Sequence, residues 1–319
     1  MHSTKPAIAV ALSGWDLEQW LPRLRQAAPG REIVVVTAPG DPLPEPYYLF
    51  CWKPDPALFR RMPAPLLILS GGAGVDHILN SGPPPAVPIT RIVEPDLTRR
   101  MVEYVVLHCL YHLRRMDEAA ANSQKMQWRS REFAAAREVT VGLMGVGEMG
   151  RASAIGLMVL GFNVIGWGRS HRTGLPFRSY AGRDELDAFL VQSEILVSLL
   201  PSTPETRGLI DSKLLQKLRR DGKFGAPVFI SAGRGDTVDE AGLLRALQDG
   251  TIRAASLDVF VAEPLPPDNP FWALANVVIT PHNAADSHPD AIVNAIIAEI
   301  TRFEAGEPLL NPVDRARGY

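Results

Sequence analysis

Cysteine is scarce: Cys51 and Cys109 are the only two in 319 residues. That excludes a disulfide-built fold, and neither sits at metal-ligand spacing, so no metal is expected. Both read as reduced structural thiols, which points to a cytoplasmic protein. An excess of charge of either sign is missing too. The formal net charge is −2, which leaves no surplus to attract nucleic acid or a membrane surface. Long hydrophobic runs are missing, since no apolar stretch approaches the roughly 18 residues of a membrane-crossing helix. The opening MHSTKPAIAVALSGWD reads as a first strand rather than a leader. There is no repeat of fixed period and no low-complexity tail. One further absence is local: no Asp or Glu occurs from 151 to 183. What remains is ordinary globular composition, 46% apolar and 21% charged, in a chain long enough for two domains with their own cores.

The first third alternates short apolar runs with helical pieces. AIAVAL, EIVVVT, YLFCW and PLLILS read as buried strands; LEQWLPRLRQAA and PALFRRM read as helices. That alternation predicts an α/β fold with a parallel sheet. The proline clusters APGDPLPEPYY and SGPPPAVPIT read as loops or strand edges, because proline lacks the N–H a ladder needs. Residues 96–124 read as one long helix, capped by Asp96 or Thr98 and apolar on more than one face. A second series starts near 139, with the strands VTVGLMG, NVIGW, EILVSLL, PVFISAG, AASLDVF and NVVITP separated by helices. Six strands with crossovers predict a complete doubly wound sheet. The last helix, within HPDAIVNAIIAEITRFEAG, is expected to return to the first domain. The division is thus 1–97 with 286–319 for a substrate-binding domain, and 98–285 for a dinucleotide-binding domain.

The stretch TVGLMGVGEMG places Gly145, Val146, Gly147, Glu148, Met149 and Gly150 between a strand and a helix. In that context the first glycine permits the tight turn, the second lets a pyrophosphate approach the backbone, and the third lets helix and strand lie close. The helix N-terminus then offers free N–H groups to phosphate. In such folds an acid about 20 residues further on holds the ribose hydroxyls. Here the second strand runs out into Gly168, Arg169, Ser170, His171 and Arg172. Arg169 and Arg172 supply guanidinium forks and Ser170 a hydroxyl, a set that suits a 2′-phosphate. The cofactor expectation is therefore NADP(H) in preference to NAD(H).

Three later stretches end strands: FISAGRGDTVDE, SLDVFVAEPLP and VVITPHNAAD. Ligands of open α/β sheets bind beyond the carboxyl ends of strands, which is where Arg234, Asp258, Glu263 and His282 fall. Reduction of a 2-keto acid needs a cation for the carboxylate and a proton for the growing alkoxide. Arg234 can supply the first and His282 the second, with Glu263 paired to the imidazole to orient it.

LMGVGEMG, LLPSTPETRGLI, SAGRGDTVDEAGLLRAL, AASLDVFVAEPLP and ITPHNAA together resemble the D-isomer-specific 2-hydroxyacid dehydrogenase family. SGGAGVDHIL, VEYVVLHCLYHLRR, FISAGRG and VDRARGY carry a closer likeness to its A-type glyoxylate/hydroxypyruvate reductases. The resemblance implies two Rossmann-like doubly wound domains with an active-site cleft between them, and a homodimer. It implies NADPH-dependent reduction of glyoxylate or hydroxypyruvate by Arg234, Glu263 and His282. Asp258 would lie near the nicotinamide carboxamide, with Leu200, Pro201 and Ala232 along the cofactor. Gly72, Ala73 and Gly74 would receive the substrate carboxylate on backbone N–H groups. Trp52 would shape the pocket, and Trp128 would serve in packing or reach a partner subunit. Two departures stand out: Asn283 where the family commonly has Ile, and Ser231 where Asn is common. Two rival readings share the scaffold: a reductase for bulkier 2-keto acids, and a non-catalytic dinucleotide sensor or corepressor.

Overall fold

A computed structural model describes residues 5–318 except 39, 81 and 83. Parts of the leading stretch, of both proline clusters and the final tyrosine of VDRARGY therefore lie outside the described residues. The chain divides into two compact units, 1–97 with 287–319, and 98–286.

The first unit holds β1 (Ala7–Leu12), β2 (Ile33–Val35), β3 (Tyr47–Trp52), β4 (Ile68–Ser70) and β5 (Ile89–Thr90). They form one parallel sheet in the order β2-β1-β3-β4-β5. β1 and β3 are buried over nearly their whole length, so they read as continuous apolar runs. β5 lies in the second proline cluster, whose prolines confine it to a two-residue edge strand. Helix Pro289–Glu304 belongs to this unit and packs its Ile292, Ile296 and Ile300 inward at helical spacing.

The second unit holds β6 (Thr140–Met144), β7 (Asn163–Gly168), β8 (Arg178–Ala181), β9 (Ile195–Ser198), β10 (Val228–Ser231), β11 (Ala254–Leu257) and β12 (Val277–Ile279). All pair in parallel, in the order β12-β11-β10-β9-β6-β7-β8. This is the doubly wound arrangement with one strand more than the six expected. The extra strand is β8, RSYA, too short and too polar to announce itself. Alternation along each strand feeds two cores. Ile195, Val197, Val228 and Ile230 face helices Pro95–Leu113 and Glu148–Val159, whereas Leu196 and Phe229 face Phe189, Leu214 and Leu243.

The single long helix expected over 96–124 is two helices, Pro95–Leu113 and Met116–Gln124. Arg115 breaks it in the left-handed region, at φ 51°. Its guanidinium donates to the Phe224 carbonyl at 2.7 Å and lies over that phenyl ring. Beyond Leu113 the apolar stripe also stops, and the second helix buries nothing. The cap is corrected as well: the Glu94 carboxylate, rather than Asp96 or Thr98, accepts from the N–H groups of Asp96 and Leu97 at 2.9 Å. Both cysteines are free and fully buried, and burial pushes their thiols up in pKa. No helix among the described residues is long and apolar enough to cross a membrane, and no group of three His, Cys, Asp or Glu among them could hold a metal.

Candidate active site

Register places the predicted residues of the second unit on one edge. Trp167, Met144, Ser198, Ser231, Leu257 and Ile279 stand side by side across β7, β6, β9, β10, β11 and β12. The chain leaving that row carries, in turn, Arg169, the glycine loop, Leu200 with Pro201, Ala232 to Arg234, Asp258, and His282. The loop after β6 sits where the strand order reverses, the crevice position of such sheets.

Three different circumstances hold the three glycines. Gly145 has φ 99°, and a Cβ there would stand 2.8 Å from the Leu199 carbonyl oxygen. At Gly150 a Cβ would lie 1.9 Å from the Gly145 carbonyl oxygen. Gly147 has ordinary extended backbone at φ −73°, and a Cβ would meet no protein atom within 4 Å. It caps helix Glu148–Val159 without a side-chain hydrogen bond, so the first N–H groups face outward uncapped. A helix start of this kind is suited to receive an anion, and it is open where the protein itself would tolerate a side chain. Val146 is buried under β7, so it could reach a ligand only through its backbone; Glu148 is exposed and Met149 half-buried.

The basic turn after β7 is exposed at Arg169, Ser170, His171 and Arg172. Gly168 is tight, since a Cβ would stand 3.2 Å from Val146. Sequence reasoning missed Glu185, two residues beyond the acid-free window. Its carboxylate accepts from the Ala181 N–H at 2.6 Å and lies 3.3 Å from His171 Nε2. A carboxylate therefore stands near the turn, engaged by a backbone amide and a histidine.

At the other end of the row, His282 Nδ1 lies 2.7 Å from Glu263 Oε2. An ionised carboxylate only accepts, so Nδ1 carries the proton and donates; Nε2 is the nitrogen left for acid–base work. Glu263 Oε1 accepts from the Phe260 N–H at 3.1 Å, which fixes the carboxylate from behind. His282 itself is in the left-handed region, at φ 52°, an uncommon state for a residue with a Cβ. Arg234 leaves β10 in extended backbone and is half-buried, with Nη1 donating to the Gly233 carbonyl at 2.9 Å. Gly233 must be glycine because a Cβ would lie 2.5 Å from the Leu200 carbonyl oxygen. Leu200 and Ala232 are buried and Pro201 half-buried. Asp258 is 2% exposed. Burial raises its carboxyl above the usual range, opposed by hydrogen bonds from Thr280, Ala284 and Asn283. Its oxygens accept from the Thr280 hydroxyl at 2.6 Å and the amides of Asn283 and Ala284 at 3.0–3.1 Å. That contact to the His282 turn was not foreseen, and neither was Thr280. Asn283 is exposed, and Ser231 is buried with its hydroxyl unpartnered among the described residues.

In the first unit, Trp52 ends β3 and stacks on Trp15 at 5.6 Å between centroids, with His77 at 4.5 Å. A Cβ at Gly72 would stand 2.2 Å from the Trp52 ring. Gly72, Ala73 and Gly74 are half-buried, and the Ser70 hydroxyl is shared among the Gly72 N–H and the Gly72 and Gly74 carbonyls. Trp128 is fully exposed, so it packs in no core of this chain.

Comparison with known proteins identifies the family. The sequence model of the D-isomer specific 2-hydroxyacid dehydrogenase NAD-binding domain matches residues 106–284. Glyoxylate/hydroxypyruvate reductase A of Salmonella newport is 37% identical over 94% of this chain and 96% of its own. Among solved structures, a probable 2-hydroxyacid dehydrogenase from Rhizobium etli, in complex with NADP, HEPES and L(+)-tartaric acid, is 44% identical. It superposes with a TM-score of 0.92 over 99% of this chain and 100% of its own. An NADPH-dependent glyoxylate/hydroxypyruvate reductase from Sinorhizobium meliloti, in complex with NADP and sulfate, is 43% identical, also with a TM-score of 0.92 and the same coverage.

Proposed function

Because this chain belongs to the D-isomer specific 2-hydroxyacid dehydrogenase family, we infer that it reduces small 2-keto acids, glyoxylate and hydroxypyruvate, to 2-hydroxy acids with NADPH. The relatives from Salmonella newport and Sinorhizobium meliloti are named for these two substrates. The observation that carries the reading is the His282–Glu263 pair at 2.7 Å, on the same sheet edge as the glycine loop. A sensor has no use for an imidazole so oriented, and this weighs against the non-catalytic reading.

The glycine loop and the uncapped start of helix Glu148–Val159 would hold the pyrophosphate. Arg169, Ser170 and Arg172 would hold the 2′-phosphate, with Leu200, Pro201, Ala232 and Asp258 along the remainder of the cofactor. Bound NADPH supplies the hydride. Arg234 binds the substrate carboxylate as a planar fork. His282, protonated, delivers a proton to the oxygen on which negative charge grows. Glu263 stabilises the imidazolium and keeps its ring turned. We place the enzyme in the cytoplasm as a homodimer. The exposed Leu107, Val159, Met126 and Trp128 support self-association, which a solution mass by light scattering checks.

The test is a substrate panel with NADPH, glyoxylate and hydroxypyruvate against bulkier 2-keto acids, with dissociation constants for both cofactors. Turnover is expected with the two small acids. Two charge-assisted contacts contribute about 1.5–3 kcal/mol each, so Arg169→Ala/Arg172→Ala should weaken NADPH by about 10²–10⁴-fold and leave NADH nearly unmoved. Equal losses for both cofactors would remove the basic turn from the account, and turnover of bulky acids alone would replace the substrate assignment.

A further inference from the structure

Tyr104 lies on helix Pro95–Leu113, far in sequence from every motif of the site. Its hydroxyl is 3.0 Å from the Thr280 hydroxyl, across 176 residues of chain. Thr280 in turn donates to Asp258 Oδ1 at 2.6 Å. A hydroxyl has one proton, and that of Thr280 goes to the carboxylate, so Tyr104 must donate to Thr280. Burial raises the Tyr104 phenol well above its usual pKa, which keeps it a donor at any working pH.

Asp258 encloses the acid from both sides of one backbone turn. Its carbonyl accepts the His282 N–H at 2.9 Å, and its carboxylate accepts the N–H groups of Asn283 and Ala284. His282 between them has φ 52°, a conformation that persists only where the surroundings over-determine it. From that backbone the imidazole meets Glu263 at 2.7 Å.

We propose that Tyr104 is a positioning residue for His282: its hydroxyl orients Thr280 onto Asp258, and Asp258 holds the strained turn that aims the imidazole. The proposal rests on reading His282 as the proton donor. Packing alone does not account for the phenol. The Tyr104 ring already packs on His108 at 4.2 Å between centroids, tilted by 47°, against an imidazole whose Nδ1 is buried without a partner among the described residues. A phenylalanine would serve that face equally well.

Tyr104→Phe keeps the ring and deletes the hydroxyl. One hydrogen bond in a chain of this kind is worth about a three- to tenfold change. The expected result is a kcat lower by about that factor, with the KM for glyoxylate unchanged. Thr280→Val should behave alike, and Thr280→Ser, which keeps the hydroxyl, should lose less. Added to His282→Ala, Tyr104→Phe should cost nothing further, because it acts through that imidazole. Amide exchange of the 280–286 segment should quicken in Tyr104→Phe whether or not the protein turns over. A full additional loss on the His282→Ala background, a rise in KM at constant kcat, or unchanged exchange would each overturn the proposal. If instead His282→Ala itself kept normal turnover, the acid reading would fall, and exchange alone would decide whether Tyr104 holds the turn.

Discussion

Two glycine turns follow strands in this protein, Gly71–Gly74 after β4 and Gly145–Gly150 after β6, and they look alike as strings. Their glycines answer to different neighbours. At Gly71 and Gly72 the missing Cβ makes room for indole rings, Trp15 at 2.8 Å and Trp52 at 2.2 Å. At Gly145 and Gly150 it makes room for backbone carbonyls, at 2.8 and 1.9 Å. At Gly147 it makes room for nothing in the protein. The first turn is small because large side chains crowd it. The second is small because helix and strand must touch, with one position, Gly147, where a side chain would meet no protein atom within 4 Å. Glycine in a motif is thus a statement about what approaches, and only the neighbours say whether that is a ring, a carbonyl or a phosphate.

Substitutions separate these cases. Gly150→Ala should have the largest effect. It drives a methyl into a carbonyl that no rotamer can move, so the loss should exceed about 3 kcal/mol. A thermal midpoint lower by more than about 6 °C in calorimetry checks it; an unchanged midpoint would show that helix and strand can part cheaply. Gly72→Ala meets a ring rather than backbone, and should cost about 1–3 kcal/mol. That loss should largely disappear in the Gly72→Ala/Trp52→Leu double variant, measured by urea denaturation. Failure of the second change to rescue would mean the ring is not what excludes the methyl. Gly147→Ala should be the smallest in stability, within about 0.5 kcal/mol, while NADPH affinity falls about tenfold or more, since one hindered phosphate contact is worth about 1.4 kcal/mol or above. Titration of NADPH into the variant decides it, and unaltered affinity would remove the phosphate from that position.

The parts of the fold that were legible share a cause: their signals are local. The strand–loop–helix pattern around Gly145 to Gly150, the buried runs of β1, β3 and β9, and the strand ends carrying Arg234 and His282 all rest on spacing within a few residues. What was missed is decided at a distance. The break at Arg115 is tied to the Phe224 carbonyl, 109 residues away. β8 exists because Arg178–Ala181 can pair with β7, although RSYA has little apolar signal of its own. Glu94 takes the cap because the helix starts at Pro95, which leaves Asp96 and Thr98 inside it, and its carboxylate accepts from the amides of Asp96 and Leu97. In the site, the residue types were readable but the partners of Asp258 were not. A buried carboxylate must find donors, and Thr280, Asn283 and Ala284 are identified only by the return of β12 beside β11.

The central claim is that His282, oriented by Glu263, supplies the proton. It is tested most directly by comparing wild type and His282→Ala in one preparation, with NADPH oxidation by glyoxylate and the NADPH dissociation constant measured side by side. A positioned general acid contributes about 10²–10⁴-fold, so turnover should fall by about that factor while NADPH binding stays unchanged. Near-normal turnover in His282→Ala, at equal cofactor occupancy, would contradict the account.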